Sequence, residues 1–203
     1  MLIPALMMLA SCDGLFGGLY DEPAKESVYG FIHCDSDGRG GTLRIDATSY
    51  TRWTYIDLRH QRVDTANVTQ GQGEPLQWDF ALHRYDVRTH GGAAAETPFG
   101  EVETASMSDG LDFVDDVDSQ MVVDMSTMME GYLGYTPARL NPVLSTWLDV
   151  DMSVMPPIYT LSNKVYLLRL ANGTLVALQF TGYMDDAFTK GIVTIRYRLI
   201  TDP

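Results

Sequence analysis

One five-residue motif, Asp-Met-Ser-x-Met, occurs twice in this chain. Asp124-Met125-Ser126-Thr127-Met128 is followed later by Asp151-Met152-Ser153-Val154-Met155. A methionine thioether is a soft, neutral ligand that suits haem iron and copper(I), and it suits magnesium or calcium poorly. A single methionine more often fills an irregular gap in a core. The two copies lie too far apart for adjacent turns of one element, so the repeat indicates two elements that flank a cleft.

Other residue types with chemical potential do not form a recognisable site. The four histidines have no close spacing for a metal, so a zinc site is not indicated; they are His33, His60, His83 and His90. Within its alternating strand, His83 is expected to be a hydrogen-bonded structural residue. Five aspartates fall between 109 and 118, but their spacing does not match an EF-hand loop and predicts a solvated acidic loop. No serine-hydrolase elbow, Walker loop or dinucleotide fingerprint occurs, so no enzyme is predicted.

Length and composition indicate one ordinary globular domain. The chain has 203 residues, of which 45% are hydrophobic and 20% charged, which suits a single domain with a sizeable core. The formal net charge is −13. This charge argues against a nucleic-acid partner and against simple adsorption to an anionic lipid surface.

The N-terminal residues predict export and lipidation. Residues 1–11 are expected to be a signal peptide, because an apolar run too short to span a bilayer ends in Leu9-Ala10-Ser11-Cys12, which resembles a bacterial lipobox. No basic residue precedes the run, which leaves open a start upstream of Met1. Cys12 would then carry lipid, and residues 12–41 would form a flexible tether and the first strand. Cys34 would be left without a cysteine to pair with.

Short strands dominate the rest of the chain, so the predicted fold class is all-β, mainly antiparallel, with one or two short helices. Alternating or β-branched runs predict strands over residues 42–47, 53–58, 78–88, 164–170, 175–180 and 191–200. The Asn172-Gly173 pair predicts a hairpin turn because both positions tolerate positive φ. Asn141 followed by Pro142 predicts the start of a short helix.

Three blocks of this chain resemble the HmuY-like haem-binding lipoproteins. The longest is Trp78-Asp79-Phe80-Ala81-Leu82-His83-Arg84-Tyr85-Asp86-Val87-Arg88. The second runs from Tyr159 to Tyr166 and the third from Val176 through Thr181 to Tyr183, in the family's order. The similarity covers roughly 42–199 and implies one HmuY-like haem-binding domain over residues 42–203.

The resemblance also implies a pair of iron ligands. The best-known members hold haem between two histidines, one of them five residues after the start of a Trp-Leu pair. Here that pair is Trp147-Leu148, the corresponding residue is Met152, and no histidine follows His90. Other members use two methionines, and on that pattern the axial ligands fall on Met125 and Met152. Met128 or Met129 stays open as a substitute for Met125, and Met155 as a substitute for Met152.

The function implied is a lipid-anchored haemophore of the outer membrane, at its surface or periplasmic face and with shedding left open. Two axial thioethers would leave no position for oxygen activation, so such a protein stores or passes on haem. The resemblance implies a TonB-dependent receptor as acceptor and host haemoproteins as donors. Side chains proposed for the porphyrin wall are Met128, Tyr132, Met155, Pro156 and Pro157. The alternative function is a β-rich surface lipoprotein that binds glycan or protein, with its methionines in the core.

Overall fold

The computed structural model describes residues 28–154 and 156–200, which form antiparallel β-sheets. Fifteen strands occur within that part of the chain: β1 Gly30–Cys34, β2 Gly40–Asp46, β3 Arg52–Asp57, β4 Arg62–Asn67, β5 Phe80–His83, β6 Asp86–Thr89, β7 Ala93–Glu96, β8 Val114–Asp115, β9 Val117–Asp124, β10 Gly134–Leu140, β11 Leu148–Asp151, β12 Ile158–Leu161, β13 Val165–Arg169, β14 Leu175–Met184 and β15 Lys190–Ile200. Two short 3₁₀ helices, Met128–Glu130 and Leu144–Trp147, complete the described elements. The predicted all-β class is confirmed.

Two sheets enclose the main core, and two separate hairpins extend from them. The seven-stranded sheet has the order β1-β2-β15-β14-β13-β7-β8, and the four-stranded sheet has the order β4-β3-β5-β6. The hairpins β9–β10 and β11–β12 each form a two-stranded sheet of their own. All the paired strands are antiparallel, so alternate side chains face one side of each sheet.

The core between the two large sheets follows from this alternation. In β15 every second residue from Gly191 to Tyr197 is buried, and Val193 and Ile195 are fully enclosed. They pack with Leu82 of β5 and with the ring of Trp147. A smaller cluster, which includes Val102 and Leu167, covers the opposite face of the seven-stranded sheet. Burial of this kind stabilises by roughly 25 cal/mol per Å² of apolar surface.

The predicted turn and helix both form, each with a geometry of its own. β13 and β14 pair across Asn172-Gly173, as predicted, but only Gly173 has positive φ (87°), and its N–H donates to the Leu170 carbonyl (2.9 Å). This is a type I turn followed by a left-handed glycine. The Asn141 side-chain oxygen accepts hydrogen bonds from the backbone N–H groups of Val143 and Leu144, so Asn141 caps the turn that leads into a helix. That helix is a 3₁₀ helix at Leu144–Trp147.

The prediction of one continuous strand over 78–88 was wrong. Phe80–His83 and Asp86–Thr89 are two strands, paired with each other in register His83↔Asp86. The chain reverses at Arg84, whose φ is +54°. Strict alternation ahead of the turn gives no sign of it, because arginine is not a typical residue for the left-handed region.

Several sequence predictions lie outside the described residues. These are the signal peptide over residues 1–11, lipidation at Cys12, most of the proposed tether, and Met155. Within the described part of the chain, no helix has both the length and the apolar composition needed to cross a membrane.

Candidate functional site

Met125 lies at the end of the hairpin formed by β9 and β10, here called the Met125 hairpin. It directly follows the last residue of β9, and its carbonyl accepts a hydrogen bond from the Met128 N–H (3.1 Å). The 3₁₀ helix Met128–Glu130 then turns the chain, and Gly131 ends it with a positive φ of 84°. The connection is therefore an ordered loop with its own backbone hydrogen bonds.

Met152 occupies the matching place in the hairpin formed by β11 and β12, here called the Met152 hairpin. It directly follows Asp151, the last residue of β11, and begins the connection to Ile158 of β12. The structure thus places each of the two predicted ligands at the first position after a strand, in the loop of a separate hairpin.

The two copies of the Asp-Met-Ser motif form the same local turn. The Asp124 carboxylate accepts a hydrogen bond from the Ser126 N–H (2.8 Å), and the Asp151 carboxylate accepts one from the Ser153 N–H (2.8 Å). The Ser153 hydroxyl also donates to Asp151 (2.6 Å). Such aspartate-centred turns explain why Asp recurs at the first position of both copies. They do not require methionine between them, so Met125 and Met152 need a separate explanation.

Electrostatics of the two loops follow from these turns. The backbone N–H of Ser126 holds the pKa of Asp124 below its usual value, and the hydroxyl and N–H of Ser153 lower the pKa of Asp151. Both carboxylates are therefore ionised at neutral pH and bonded to their own loops. These hydrogen bonds fix the conformation of the two loops.

The methionines of these loops are not core residues. Met125 is half-buried, while Met128, Met129 and Met152 have exposed fractions of 37%, 87% and 56%. By contrast, Met121 of β9 is buried at 3% and packs against Trp53. The alternative in which the loop methionines fill the core therefore does not hold for the four that the structure describes.

Other apolar side chains are exposed in the same two loops. Among the large hydrophobic residues exposed in the described chain, seven belong to the two hairpins between 128 and 158: Met128, Met129, Tyr132, Tyr135, Met152, Val154 and Ile158. Of the proposed wall residues, Tyr132 is 70% exposed, Pro156 is exposed and Pro157 is half-buried. Exposed apolar side chains are therefore concentrated in these two segments of the chain.

The two hairpins are attached to different parts of the core. Met121 and Leu140 attach the Met125 hairpin to a cluster that contains Trp53 and Tyr55 of β3 and Trp78, which precedes β5. The Met152 hairpin instead joins the main core between the sheets through Trp147, Leu148, Val150, Tyr159 and Leu161. Each loop is therefore held by its own set of buried contacts.

One open cleft of about 810 Å³ lies at the base of the Met125 hairpin. Its lining includes Trp78, Arg88, His90 and Arg139, and it contains neither predicted ligand. The Arg88 guanidinium lies over the Trp53 and Trp78 rings and forms an ion pair with Glu74 (2.8 Å). Because these side chains are already engaged with one another, we regard this cleft as part of the scaffold.

Two histidines, His83 and His90, belong to the scaffold as well. The Nε2 atom of buried His83 lies 2.8 Å from the Tyr50 carbonyl oxygen, so the structural role expected for it is confirmed. His90 stacks on Trp78 with 4.6 Å between ring centroids. No group of three or more His, Cys, Asp or Glu side chains in the described regions has the arrangement of a metal site.

Comparison with known proteins decides the family. The sequence model described as HmuY protein matches residues 49–197. This chain belongs to the HmuY family. No curated protein matches it in sequence.

Solved structures agree with the family assignment. A protein of Bacteroides vulgatus assigned as HmuY-like and heme-binding is 46% identical to this chain, with a TM-score of 0.79, and the match covers 86% of this chain and all (100%) of the other. A Bacteroides fragilis protein assigned as a lipoprotein is 45% identical, with a TM-score of 0.79 and coverage of 88% and 100%. The apo HmuY analog of Tannerella forsythia is 26% identical, with a TM-score of 0.69 and coverage of 80% and 96%. The fold and the single HmuY-like domain are therefore shared with these proteins.

Sequence reasoning missed a group of buried contacts behind the Met152 hairpin. The residues are Arg84, Tyr159 and Tyr183, one from each of the three blocks that carried the resemblance. The family resemblance singled out the three segments in the sequence, but nothing in the sequence showed that these three side chains are in contact.

Proposed function

We propose that this protein is a haem-binding lipoprotein that captures haem between Met125 and Met152. The observation that carries the proposal is the placement of both methionines at equivalent positions in two loops, each fixed by an aspartate-centred turn and each with exposed apolar residues near the methionine in sequence. Family membership supports haem as the ligand, since a relative 46% identical is assigned as heme-binding.

The donor atoms fit haem iron. Two soft, neutral thioethers are suitable axial ligands for haem, and they favour the ferrous state and raise the redox potential relative to imidazole. With both axial positions filled by protein, the iron has no open position for oxygen activation. The protein would therefore hold and pass on haem as cargo.

Apolar contacts would supply much of the affinity. Burial of porphyrin surface contributes about 25 cal/mol per Å², and exposed side chains such as Met128, Tyr132 and Pro156 are available beside the two ligands. Met128 or Met129 is the substitute for Met125 within its loop, and Met155 is the substitute for Met152.

The proposal extends to location and partners. Residues 1–11 would direct export, Cys12 would carry the lipid, residues up to 41 would link it to the domain, and residues 42–203 would bind haem. Similarity to the Bacteroides fragilis lipoprotein supports this arrangement. The protein would then be anchored to the outer membrane, take haem from host haemoproteins and deliver it to a TonB-dependent receptor.

A haem titration tests the function. Wild-type protein is titrated with haem under oxidising and reducing conditions while the Soret band is recorded. We expect a shifted Soret band in both states and tighter binding under reduction, because thioether prefers ferrous iron. If haem leaves the Soret band unchanged while a glycan or peptide ligand binds, the alternative function is supported and the haem proposal is wrong.

A further inference from the structure

The three sequence blocks that resemble the family converge on one buried side chain, Tyr183. The Arg84 guanidinium donates a hydrogen bond through Nη2 to the Tyr183 hydroxyl oxygen (3.0 Å). The Tyr183 ring stacks on Tyr159, with 5.2 Å between centroids and 27° between planes. Arg84, Tyr159 and Tyr183 are thus in direct contact although they come from different blocks.

Tyr183 contacts one strand of the Met152 hairpin and the residue that precedes its other strand. Besides stacking on Tyr159 of β12, its ring lies edge-on to Trp147, which immediately precedes β11 (5.7 Å). Tyr183 itself belongs to β14 of the seven-stranded sheet, so its ring connects the hairpin to that sheet. Aromatic pairs of this kind add to the stabilisation that burial alone provides.

A local irregularity of β14 directs this ring inward. Val176, Leu178 and Phe180 point into the main core at alternate positions, and Tyr183 breaks that alternation yet is only 4% exposed. The register of β14 against β15 shifts between Phe180 and Gly182 and again before Met184. Strand irregularities are a common way to redirect a side chain.

Arg84 holds the Tyr183 hydroxyl from the other side. The Arg84 side chain is buried, and its Nη1 donates to the carbonyl oxygens of Thr48 (2.7 Å) and Lys190 (3.3 Å). It forms no ion pair with any carboxylate in the described chain. A buried guanidinium without a carboxylate is costly. Here its N–H groups donate to three acceptors, which lie in the loop at Thr48, at the start of β15 and on Tyr183.

We propose that Tyr183, oriented by Arg84, is the positioning residue that sets the Met152 hairpin against the seven-stranded sheet. The Met125 hairpin is attached elsewhere, to the cluster with Trp53 and Trp78, so it does not depend on Tyr183. The consequence for haem ligation rests on the proposed function, whereas the positioning itself is a property of the protein without haem.

Hydrogen exchange in the full chain without haem tests the positioning. The substitution Tyr183→Leu removes both ring contacts, and Tyr183→Phe removes only the hydroxyl. In Tyr183→Leu we expect amide exchange in 148–161 to rise by at least about tenfold, because two aromatic pairs and the hydrogen bond from Arg84 are lost together. In Tyr183→Phe the rise should be smaller and confined to the same residues, since both aromatic pairs remain and only one hydrogen bond to a charged group is lost.

Two internal comparisons separate positioning from general loss of stability. Exchange in the Met125 hairpin, 117–140, should stay unchanged in both variants. Tyr197→Phe is the matched control, because Tyr197 is a buried tyrosine of the same sheet whose hydroxyl contacts Cys34, away from the hairpin (3.3 Å). Unchanged exchange in 148–161, or an equal rise in both hairpins, would overturn the proposal. If Tyr183→Leu does not fold, the Tyr183→Phe result decides in the same way.

A second readout uses haem-loaded protein. If Met152 ligates iron, Tyr183→Leu should lower the low-spin fraction of ferrous haem, and Tyr197→Phe should leave it unchanged. If exchange in 148–161 rises in the Tyr183 variants as expected but wild-type protein binds no haem, only the proposed function is contradicted. Wild-type haem binding with unchanged exchange in the Tyr183 variants would contradict the positioning role alone.

Discussion

Gly191 is the residue at which one added methyl group should do the most damage to the contacts behind the Met152 hairpin. Its φ is +97°, a conformation that residues with a Cβ rarely adopt. A Cβ at this position would lie 2.6 Å from Arg84 Nη1 and 2.9 Å from the Thr48 Cα atom. The substitution Gly191→Ala therefore combines backbone strain with displacement of a buried guanidinium.

The magnitude follows from these two effects. The left-handed conformation costs a residue with a Cβ roughly 1–2 kcal/mol, and loss of a hydrogen bond from a charged donor costs about 1.5–3 kcal/mol. Together they predict a decrease of about 2.5–5 kcal/mol in the free energy of unfolding. This should appear as a lower denaturant midpoint with an unchanged m-value in urea unfolding.

Gly173 provides a matched control for the strain alone. Its φ is +87°, and a Cβ there would have nothing within 4 Å. Gly173→Ala should therefore lower the free energy of unfolding by only about 1–2 kcal/mol. In an Arg84→Met background, Gly191→Ala should cost less than in wild type, because Nη1 is gone. Equal destabilisation by the two glycine substitutions would refute the reasoning.

Three further predictions concern the anchor, the helix cap and pH. Cys12→Ala should abolish the fatty-acid labelling expected of the wild-type chain in cells; equal labelling of both would exclude lipidation there. Asn141→Ala should lower the free energy of unfolding by about 2–4 kcal/mol, measured by urea unfolding. The reason is that fully buried Asn141 accepts a hydrogen bond from the Leu144 N–H and donates one to the Val114 carbonyl (2.9 Å). Asn172→Ala, at an exposed position, is the control, and an equal effect of the two substitutions would be inconsistent with the cap. Haem affinity should be constant between about pH 5 and 8, since a thioether has no proton to lose. A steep loss of haem affinity between about pH 7 and 5.5 would instead indicate histidine ligation. Folding stability has its own pH dependence. Because the pKa values of Asp124 and Asp151 are lowered on folding, the stability that their turns contribute is present above pH 3.8 and is lost as pH falls through the lower folded values.

The sequence predicted those features that depend on neighbouring residues. The turn at Gly173 and the cap at Asn141 each rest on a few adjacent positions, and both occur where predicted. The strand predicted over 191–200 from its alternation likewise forms, as part of β15. Even so, the negative φ at Asn172 and the 3₁₀ form of the helix after Asn141 were not predicted.

Features that depend on distant residues were not predictable in this way. Arg84 and Tyr183 are 99 positions apart, and their hydrogen bond exists only because two sheets pack together. The reversal at Arg84 was missed for the same reason, since its positive φ is stabilised by contacts with Thr48 and Lys190. Repetition of Asp-Met-Ser was visible in the sequence, whereas the attachment of its two copies to different parts of the core was not.

The ferrous spectrum of the double variant Met125→Ala/Met152→Ala tests the central claim most directly. Wild-type protein with reduced haem should give a low-spin spectrum, and each single replacement should weaken binding on the order of tenfold or more, as expected if about 1.4 kcal/mol of ligation is lost. The double variant should lose the low-spin spectrum while remaining folded, because both residues lie in exposed loops. Met128→Ala/Met155→Ala is the control and should keep its spin state. An unaltered low-spin spectrum in the Met125→Ala/Met152→Ala protein would contradict the assignment of these two methionines as iron ligands.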